Sequence, residues 1–515
     1  MANVSIHDFH GGLILDDHKA LSTQHPIAPV YLPKTLVVPL QQHIGQIAEP
    51  CVKVGDHVLK GQLIAKASEY VSANIHAPSS GTVTAIDEQP IVHPSGLNAL
   101  SISIECDGKD AWTNLPEAIG DWKSTEPQLL RDRLRQSGIV GLGGAVFPTA
   151  VKTNVQNKPV DTLILNASEC EPYITCDDML MRTDPEKIAT GAKILQHIVG
   201  AKKILIGIEE NKPQAIEALN NAINNTEIEI IVVPNKYPSG GEKQLIHLLT
   251  GIEVPSQGLP IDVGILCQNV GTCVAVADAV LEGKPFIDRV VTLTGDALAK
   301  PQNVRALIGT SIHELIEHHS GFAKACQRTL MGGPMMGFSL PDIDRPIAKG
   351  SNCILSLHEV EPTQEPQACI RCGECVKVCP ALLLPQQLYW YAKSHNFDQA
   401  QDHHLFDCIE CGCCAHVCPS KIPLVQYYRF AKTEIWASER EKQQSDLARR
   451  RHEFRDARLA RLEAERKARL RKKKEVLENK PKAKGDDPKK AAIEAAMKRV
   501  AAKKAAQATE EKHHE

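Results

Sequence analysis

The chain reads Cys369-Ile-Arg-Cys372-Gly-Glu-Cys375-Val-Lys-Val-Cys379-Pro380, and the same cysteine spacing returns 39 residues later as Cys408-x2-Cys411-x2-Cys414-x3-Cys418-Pro419. Thiolates at this spacing are typical ligands of two [4Fe-4S] clusters, in which the fourth cysteine of each copy crosses to the other cluster. One cluster is therefore predicted on Cys369, Cys372, Cys375 and Cys418. The other is predicted on Cys379, Cys408, Cys411 and Cys414. Residues 366–436 are expected to form a ferredoxin-type domain that transfers single electrons.

The repeat also has a zinc interpretation, because paired cysteines two residues apart occur in tetrahedral zinc sites. The third cysteine at the same spacing and the Cys-Pro ending are both present twice, which favours iron–sulfur clusters. Cys413 adjoins a predicted ligand but breaks the spacing, since Glu374 is its counterpart in the first copy. A helix-like insert over residues 385–401 separates the copies and favours a largely helical ferredoxin.

Length and cysteine usage place the protein among multidomain chains. At 515 residues it has room for several domains with buried cores. Nine of its 17 cysteines fall within residues 369–418, and residues 1–16 contain no apolar signal core, so a reducing cytoplasm is expected. Polar residues interrupt the apolar stretch 264–279, so any membrane association is predicted to be peripheral.

The C-terminal tail, residues 437–515, differs in charge from the rest of the chain. Residues 441–515 carry 24 Lys or Arg against 14 Asp or Glu, which leaves a net charge of −13 on residues 1–440. The tail is rich in Ala, Arg, Lys and Glu, and predicts a charged helical segment or a disordered one. Its cluster Arg469–Lys474 is a candidate for contact with anionic lipid or a partner. Binding motifs do not accompany the charge, so specific nucleic-acid recognition is not expected.

An N-terminal segment, residues 1–29, precedes a region of short strand-like runs and Gly-rich turns, residues 30–110. Three of its stretches resemble the flattened β-barrel, or hammerhead, of biotinyl and lipoyl carriers: Val54–Val58, Lys60–Ile64 and His76–Val83. A carrier has its modified lysine a few residues before the Ala-Pro pair, where this chain has Tyr70 and Val71. A structural or docking module without a cofactor of its own is therefore predicted.

Residues 128–285 alternate between helical stretches and short β-rich runs such as Thr162–Leu165 and Lys203–Gly207. This alternation predicts an α/β layer with a mostly parallel sheet, whose active-site loops follow the carboxyl ends of the strands. The next segment, residues 286–345, opens with an apolar β run and resembles a small β-grasp domain of the soluble-ligand-binding type. Its turn Gly332–Gly337 is a candidate for close approach to a ligand or for a tight structural loop.

A glycine-rich loop follows the helical stretch 128–136: Ser137-Gly-Ile-Val-Gly141-Leu-Gly143-Gly144-Ala-Val-Phe-Pro-Thr149. Glycines let the backbone approach a phosphate or a flat ring, and their N–H groups can bind anions. A dinucleotide fingerprint requires a strand immediately before such a loop. Because a helix precedes it here, a conventional Rossmann site is not expected.

The loop resembles that of the flavin- and NADH-binding subunit of respiratory complex I and of its relatives in NAD-linked hydrogenases and formate dehydrogenases. Three later motifs match that family in the same order: Asn166-Ala-Ser168-Glu169-Cys-Glu171-Pro172, Tyr237-Pro-Ser-Gly240-Gly241-Glu242 and Asn269-Val-Gly271-Thr272. Some positions depart from the family pattern. Leu142 and Val146 replace Arg and Gly, and an acidic residue is replaced at Ser168, Gly241 and Gly271.

The complete order of domains, with the opening Phe9-His10-Gly11-Gly12, resembles the C subunits of Rnf-type (Rsx-type) ion-translocating electron transport complexes. This resemblance implies a multidomain α/β plus β fold: a hammerhead, a flavoprotein core, a β-grasp domain, a ferredoxin domain and the charged tail. It implies that FMN is bordered by Gly141, Gly143, Gly144, Lys152, Asn166, Asn269 and Thr272. It directs Glu169, Glu171 and Glu242 toward NADH or the flavin edge, with ordinary surface carboxylates as the alternative for Glu171 and Glu242.

The resemblance also implies a peripheral subunit on the cytoplasmic face of the bacterial inner membrane. Proteins of this kind couple electron transfer between NAD(H) and ferredoxin or other redox partners to ion translocation, through FMN and two [4Fe-4S] clusters. They are electron-transfer subunits of a translocase whose other subunits are embedded in the membrane. Two alternatives stay open: a cluster-only adaptor without a nucleotide site, and the diaphorase subunit of a soluble NAD-linked hydrogenase or formate dehydrogenase.

Overall fold

The computed structural model describes residues 6–156, 158–223, 226–360, 364–479 and 488–510. The chain divides into two compact units, Met1–Ile435 and Trp436–Glu515. Within the first unit, a β domain, an α/β domain and a second, smaller mixed domain follow one another along the sequence, and a helical domain ends the unit. The order of architectures is the one predicted from the sequence.

The first domain is a sandwich of two small sheets, built from β1 (Thr35–Pro39), β2 (Glu49–Pro50), β3 (His57–Val58), β4 (Leu63–Lys66), β5 (Ile75–His76), β6 (Gly81–Pro90) and β7 (Asn98–Cys106). One sheet has the order β1-β7-β6-β3 and the other β2-β4-β5, and all neighbours are antiparallel. The sheets bury Leu36, Val38, Ile102 and Ile104 completely. Burial of such aliphatic side chains is what holds a small β sandwich together.

The α/β domain contains β8 (Thr162–Ala167), β9 (Lys203–Glu209), β10 (Ile228–Val233) and β11 (Ile265–Asn269), with α1 (Pro127–Gln136), α2 (Thr149–Lys152), α3 (Cys176–Thr183), α4 (Pro185–Val199), α5 (Pro213–Ile223), α6 (Glu242–Thr250) and α7 (Val270–Leu281). The sheet is parallel, in the order β10-β9-β8-β11. Helices α4 and α7 pack so closely that a Cβ on Gly191 would lie 1.9 Å from the carbonyl oxygen of Cys273. The predicted parallel α/β layer is confirmed, and its strands end together at one edge.

The third domain contains β12 (Asp288–Thr294), β13 (Gln302–Leu307), α8 (Ile312–His319), β14 (Arg328–Met331), β15 (Phe338–Ser339) and β16 (Cys353–Leu357). Its sheet has the order β13-β12-β16-β14-β15, with β12 and β16 parallel. β16 is the central strand of this sheet, yet it lies beyond residue 345, where the sequence led us to end the domain. The reason is that its partners, β12 and β14, precede it by many residues, so a local pattern does not reveal the pairing.

The helical domain contains α9 (Glu374–Lys377), α10 (Pro385–Lys393), α11 (Phe397–Asp402), α12 (Cys413–His416) and the start of α13 (Leu424–Glu478). Helices α9 and α12 each follow a glycine in the left-handed region, Gly373 with φ 80° and Gly412 with φ 82°. The two sequence copies therefore have the same local shape, as glycine at this position permits. Tyr428 of α13 is buried and donates a hydrogen bond to the carbonyl of Pro385 at 2.7 Å.

The N-terminal segment contacts the helical domain through its Phe-His-Gly-Gly motif. His10 Nδ1 lies 3.1 Å from the carbonyl oxygen of Cys379, and Gly12 N donates to the carbonyl of Val378 at 3.0 Å. A Cβ on Gly11, which has φ 70°, would lie 2.6 Å from the backbone of Val378. Glycine is therefore required here for the close approach of two backbones.

Lys349 joins the first three domains without an ionic partner among the described contacts. Its Nζ donates to the carbonyls of Asn74 at 2.8 Å and Gly138 at 2.7 Å, and its backbone N donates to Gln42 Oε1 at 2.9 Å. Burial of this ammonium lowers the pKa of Lys349 to about 7. A buried amine that is readily deprotonated makes the junction between domains sensitive to pH.

We expect the stability of the first unit to rise with pH above neutrality because of Lys349. In the unfolded chain its pKa returns to about 10.4, so between about pH 7 and pH 10 the unfolded state binds more protons than the folded state. The free energy of unfolding therefore increases over that interval. Urea unfolding followed by tryptophan fluorescence measures it, with Lys349→Met as the variant that lacks this titration. An equal slope in the variant and the parent would contradict the assignment.

Helix α13 changes character at the boundary between the units. Ile435 is buried, whereas nearly all side chains from Trp436 to Glu478 are exposed. Pairs four residues apart, such as Lys467–Glu463 at 2.8 Å, line this part of the helix. Each such pair contributes only about 0.3–0.5 kcal/mol, so the helix is charged and solvated, with little packing.

The second unit also contains α14 (Pro488–Glu510). Residues 480–487 and 511–515, which belong to the predicted tail, lie outside the described residues. In the part of the chain that the structure describes, every helix is too short or too polar to cross a membrane.

Candidate flavin and iron–sulfur sites

A cavity of about 570 Å³ opens at the carboxyl edge of the parallel sheet. Its volume falls in the range of about 300–1,000 Å³ that small-molecule sites usually occupy. The walls come from the glycine-rich loop, from the loops after β8 and β10, and from the turn between β14 and β15. Ile409 of the helical domain completes the lining. The cavity thus lies where the α/β domain, the third domain and the helical domain meet.

Most residues predicted to bind FMN or NADH line this cavity: Gly143, Gly144, Asn166, Glu169, Glu171, Glu242 and Asn269. Gly141, Lys152 and Thr272 are not part of the wall. Thr272 is fully buried, and its Oγ1 accepts a hydrogen bond from Leu142 N at 3.0 Å. Gly141 N donates to the carbonyl of Phe147 at 2.8 Å. Thr272 and Gly141 therefore stabilise the conformation of the glycine-rich loop without lining the cavity.

Lys152 and Glu242, both predicted to contact the nucleotides, form an ion pair with each other at 2.8 Å. Their side chains are 31% and 41% exposed. A pair with this much exposure contributes at most about 1 kcal/mol. A phosphate or a developing negative charge in the cavity can therefore compete for the ammonium at small cost.

The glycine-rich loop presents bare backbone to the cavity. Residues 143–145 are exposed, and a Cβ on Gly144, which has φ 102°, would meet no atom within 4 Å because it would project into open space. A Cβ on Gly143 would lie 3.4 Å from the Cβ of Asn269. The loop follows helix α1, as predicted. A Rossmann-type dinucleotide site would have a strand at this position. The result is a flat cradle suited to a ring or a phosphate.

Two asparagines hold the loops around the cavity in position. Asn166 Nδ2 donates to the carbonyl of Gly240 at 2.8 Å, which ties the carboxyl end of β8 to the loop after β10. Asn269 caps helix α7 by accepting from Gly271 N at 2.8 Å. Its Nδ2 donates to Asp177 Oδ2 at 2.6 Å. Asparagine is a preferred N-cap because its side-chain oxygen satisfies a free backbone N–H.

Glu169 caps the start of helix α3. Its carboxylate accepts from Asp177 N at 2.7 Å and from Asp178 N at 3.1 Å. Burial, with the charge of Asp177 nearby, raises the pKa of Glu169 to about 7. The sequence did not single out Asp177, because an acidic residue in the first turn of a helix is common and has no distinctive spacing.

Glu171 connects the α/β domain to the third domain. Its Oε1 accepts from Met335 N at 2.6 Å and from Met336 N at 3.0 Å. Burial raises the pKa of Glu171 even though these N–H groups favour the charged form. The alternative of an ordinary surface carboxylate does not describe Glu171, because it is enclosed at a domain junction.

The structure brings the predicted cluster cysteines together in two separate cavities. One is lined by Cys379, Cys408, Cys411 and Cys414, and the other by Cys369, Cys372, Cys375 and Cys418. These are the two sets predicted from the crossed spacing. Cys413 also lines the first cavity, so proximity alone does not distinguish it from a ligand. We call the first group the inner set and the second the outer set.

Tyr237 links the large cavity to the inner set. It is 2% exposed, lines the cavity, and donates its hydroxyl to the carbonyl of Cys411 at 2.7 Å. Ile409 lines both the large cavity and the cavity of the inner set. A Cβ on Gly412 would lie 2.8 Å from the carbonyl oxygen of Met335, so the third domain also touches this turn. Tyr237 belongs to one of the motifs found in the sequence, but its hydrogen bond to Cys411, far along the chain, could not be predicted from that motif.

Family models match the domains of the first unit in sequence order. An RnfC barrel sandwich hybrid domain matches residues 7–109, a Nuo51 FMN-binding domain residues 134–278, an SLBB domain residues 290–339, and a 4Fe-4S dicluster domain residues 361–419. Fold and site thus define a chain that joins an FMN-binding domain to a dicluster iron–sulfur domain. The predicted cofactors, FMN and two [4Fe-4S] clusters, agree with these matches.

Curated relatives narrow this class. The C subunit of the ion-translocating oxidoreductase complex of Pectobacterium atrosepticum is 47% identical over 507 residues, which covers 98% of this chain and 72% of the relative. The corresponding protein of Pseudomonas aeruginosa is 49% identical, and the alignment covers 90% of this chain and 60% of the relative. That of Vibrio cholerae serotype O1 is 46% identical, with 97% and 64% covered. The chain belongs to the family formed by the C subunits of ion-translocating oxidoreductase complexes. It spans less than two thirds of the length of the Pseudomonas and Vibrio relatives.

Two solved structures with lower similarity are crystal structures of NAD+-reducing [NiFe]-hydrogenase. The air-oxidized form has 20% sequence identity and a TM-score of 0.41, with 56% of this chain and 59% of that chain covered. The H2-reduced form has 18% identity and a TM-score of 0.43, with 62% and 63% covered.

Proposed function

We propose that this chain is the peripheral electron-transfer subunit of an ion-translocating oxidoreductase complex, which takes electrons from NADH at the large cavity and passes them through the inner and outer cysteine sets to partner subunits. The observation that carries this proposal is the contact of Tyr237 with both the cavity and Cys411. A flavin-sized site and a cluster site that share one buried side chain are suited to electron exchange between them.

The residues around the cavity fit FMN. Gly143 and Gly144 line the cavity and, because they have no side chains, leave room for FMN. Asn166 and Asn269 keep the loops at a fixed spacing, while Thr272 supports the cradle through Leu142. When bound, FMN supplies the conversion between two-electron and one-electron transfer. The residues around the cavity would bind FMN and hold it in a fixed orientation.

Charged residues suit the proposed NADH side of the site. Lys152 can turn from Glu242 toward an anion, because their ion pair is partly exposed. Glu242 then remains at the cavity wall as an acceptor for hydroxyl groups of a nucleotide. Glu171 is held by two backbone N–H groups, so its role in this proposal is to keep the third domain against the cavity. Glu169 remains the carboxylate placed to face the bound ring.

The two cysteine sets differ in their access to solvent. Cys411 and Cys414 of the inner set are buried. Cys372 of the outer set is exposed, and the neighbouring Ile370 is 69% exposed. We infer that the inner set receives electrons from the cavity and that the outer set faces a redox partner.

The proposed setting is the cytoplasmic face of the bacterial inner membrane, with ferredoxin or another protein of the complex as the electron partner. The charged exposed helix of the second unit, which includes Arg469–Lys474, is a candidate for contact with anionic lipid. A tagged chain isolated from membranes is expected to carry integral-membrane partners, and NADH is expected to reduce its clusters. Recovery of the native protein entirely without such partners would instead support a soluble NAD-linked enzyme.

We expect Tyr237→Phe to slow the reduction of the inner cluster by about three- to tenfold, since the variant loses a hydrogen bond worth about 1 kcal/mol while keeping the aromatic ring. Rapid mixing with NADH followed by freeze-quench EPR measures this rate. Tyr389→Phe is the matched control, because Tyr389 lines the outer set instead. Equal rates in Tyr237→Phe and the parent, at equal FMN content, would argue against the proposed connection.

A further inference from the structure

Glu169 and Asp177 form a pair of carboxyl groups at the wall of the large cavity. One ligand oxygen of Glu169 and one of Asp177 lie within 4.8 Å of each other. Both residues line the cavity, and each is enclosed by protein yet retains some surface open to it. Glu169 has φ 42°, a left-handed conformation that is unfavourable for a residue with a side chain. Strained residues of this kind concentrate at functional sites.

The backbone holds the pair in place. Glu169 is fixed by the N–H groups of Asp177 and Asp178, and the thiol of Cys176 lies 3.4 Å from its Oε1. Asp177 is fixed at Oδ2 by Asn269, and its Oδ1 has no hydrogen-bond donor among the described contacts. This arrangement leaves one oxygen of the pair available to carry a proton.

The lysine side chains near the pair form their hydrogen bonds with other groups, although their charges lower the pKa of both carboxyl groups. Lys19 Nζ donates to the carbonyls of Glu169, Glu171 and Ile174 at 2.8, 3.1 and 2.6 Å. Lys212 is paired with Glu209 at 2.6 Å.

The other charged side chains beside the pair, Arg289 and Asp178, also form their hydrogen bonds with other groups. Arg289 donates to the carbonyls of Val290 and Lys349, and Asp178 is paired with Arg182. Among the described contacts, therefore, no ion pair joins a cation to the carboxylate of Glu169 or Asp177. The charges of Lys19 and Lys212 lower the pKa of Glu169, but burial and the like charge of Asp177 outweigh them and favour retention of a proton.

We propose that Glu169 and Asp177 share one proton near neutral pH and serve as the proton-exchange site of the cavity. This inference rests on the proposed function for its use, because a hydride carries two electrons and one proton. When both electrons leave through one-electron carriers, one proton remains for each hydride. The doubly ionised pair accepts that proton by forming one O–H bond, so that one negative charge remains, and it then releases the proton to water at the cavity mouth.

The direction of the pKa shifts agrees with this role. Burial raises the pKa of Glu169 to about 7, and burial also raises the pKa of Asp177. A raised carboxyl pKa means that the folded protein holds the proton below that pH and loses it above. Because the two groups interact, the titration belongs to the pair. A group exchanges protons most effectively when its pKa lies close to the pH of its surroundings.

Infrared spectroscopy of the flavin-free protein, labelled with ¹³C at glutamate or aspartate carboxyls, tests the shared proton directly. We expect a band of a protonated carboxylic acid that disappears as the pH rises from about 6 to about 8. In Asp177→Asn the titration of Glu169 is expected to move to lower pH by about one unit or more. Asp184→Asn is the matched control, since Asp184 pairs with Arg305 and does not line this cavity. Absence of a titrating band in the parent protein would overturn the proposal.

A second readout separates this inference from the proposed function. In the flavin-loaded protein, a plot of the flavin midpoint potential against pH is expected to change slope at the pKa of the pair. In Asp177→Asn this bend in the plot is expected to lie at a different pH. If FMN does not bind, the proposed function fails while the infrared titration still decides whether the proton is shared. If FMN binds and the bend is identical in Asp177→Asn and the parent, the exchange role is wrong.

Discussion

Cys411→Ala is expected to leave about four iron atoms per chain in place of about eight, because it removes one thiolate of the inner set. Cys413→Ala is expected to retain all of them. Both cysteines line the same cavity and both are buried, so the comparison isolates ligand spacing from proximity. Iron and acid-labile sulfide are counted after anaerobic reconstitution, and EPR identifies the remaining cluster. Equal loss of iron in the two variants would contradict the assignment of ligands by spacing.

Gly144→Val is expected to abolish or severely weaken FMN binding, by at least about 100-fold, or about 2.8 kcal/mol. Gly144 lines the cavity, so a valine side chain at this position is expected to compete with the flavin for space. Fluorescence titration of the flavin-free variant with FMN measures the affinity.

Gly55→Val is the matched control for Gly144→Val. Gly55 has φ 94°, close to the 102° of Gly144, and its Cβ direction is also open, but it lies in the N-terminal β domain. Both variants therefore bear a similar backbone penalty for a β-branched residue at positive φ. Similar FMN affinity in the Gly144→Val variant and the Gly55→Val variant would place the flavin elsewhere.

Local patterns in the sequence were sufficient for the parallel sheet and for the two cysteine sets. Strand runs such as Thr162–Ala167 are apolar over most of their length, as buried parallel strands are. The crossed cysteine sets follow from the repeated spacing, because the fourth cysteine of this motif typically binds the other cluster. For the sheet the information lies within a few neighbouring residues, whereas for the clusters it lies in a repeated spacing that is typical of two-cluster ferredoxins.

Contacts between distant segments could not be predicted in the same way. The bond of Tyr237 to Cys411, the ion pair of Lys152 with Glu242, and the hydrogen bond from Met335 N to Glu171 each join segments from different parts of the chain. These contacts depend on how distant segments pack against one another, and the local pattern of apolar and polar residues contains no information about that packing. The same is true of β16, whose pairing places it in a sheet with strands much earlier in the sequence.

The site residues show the same division. The glycine-rich loop was identified because a close backbone approach requires glycine, and the two asparagines were identified through their match to the motifs of a known family. Asp177 was missed, since its importance comes from the proximity of Glu169 and from the cavity that both line. Residue type alone does not distinguish such a carboxylate from an ordinary one in a first helical turn.

Electron transfer from NADH through FMN to two clusters is tested most directly by an anaerobic NADH titration of the reconstituted chain, with flavin and iron counted beforehand and EPR recorded at each step. We expect about one FMN and about eight iron atoms per chain, bleaching of the flavin by NADH, and the appearance of reduced-cluster signals. Clusters without releasable FMN or NADH bleaching would instead identify a cluster-only adaptor. About four or fewer iron atoms after careful reconstitution would contradict the two-cluster assignment.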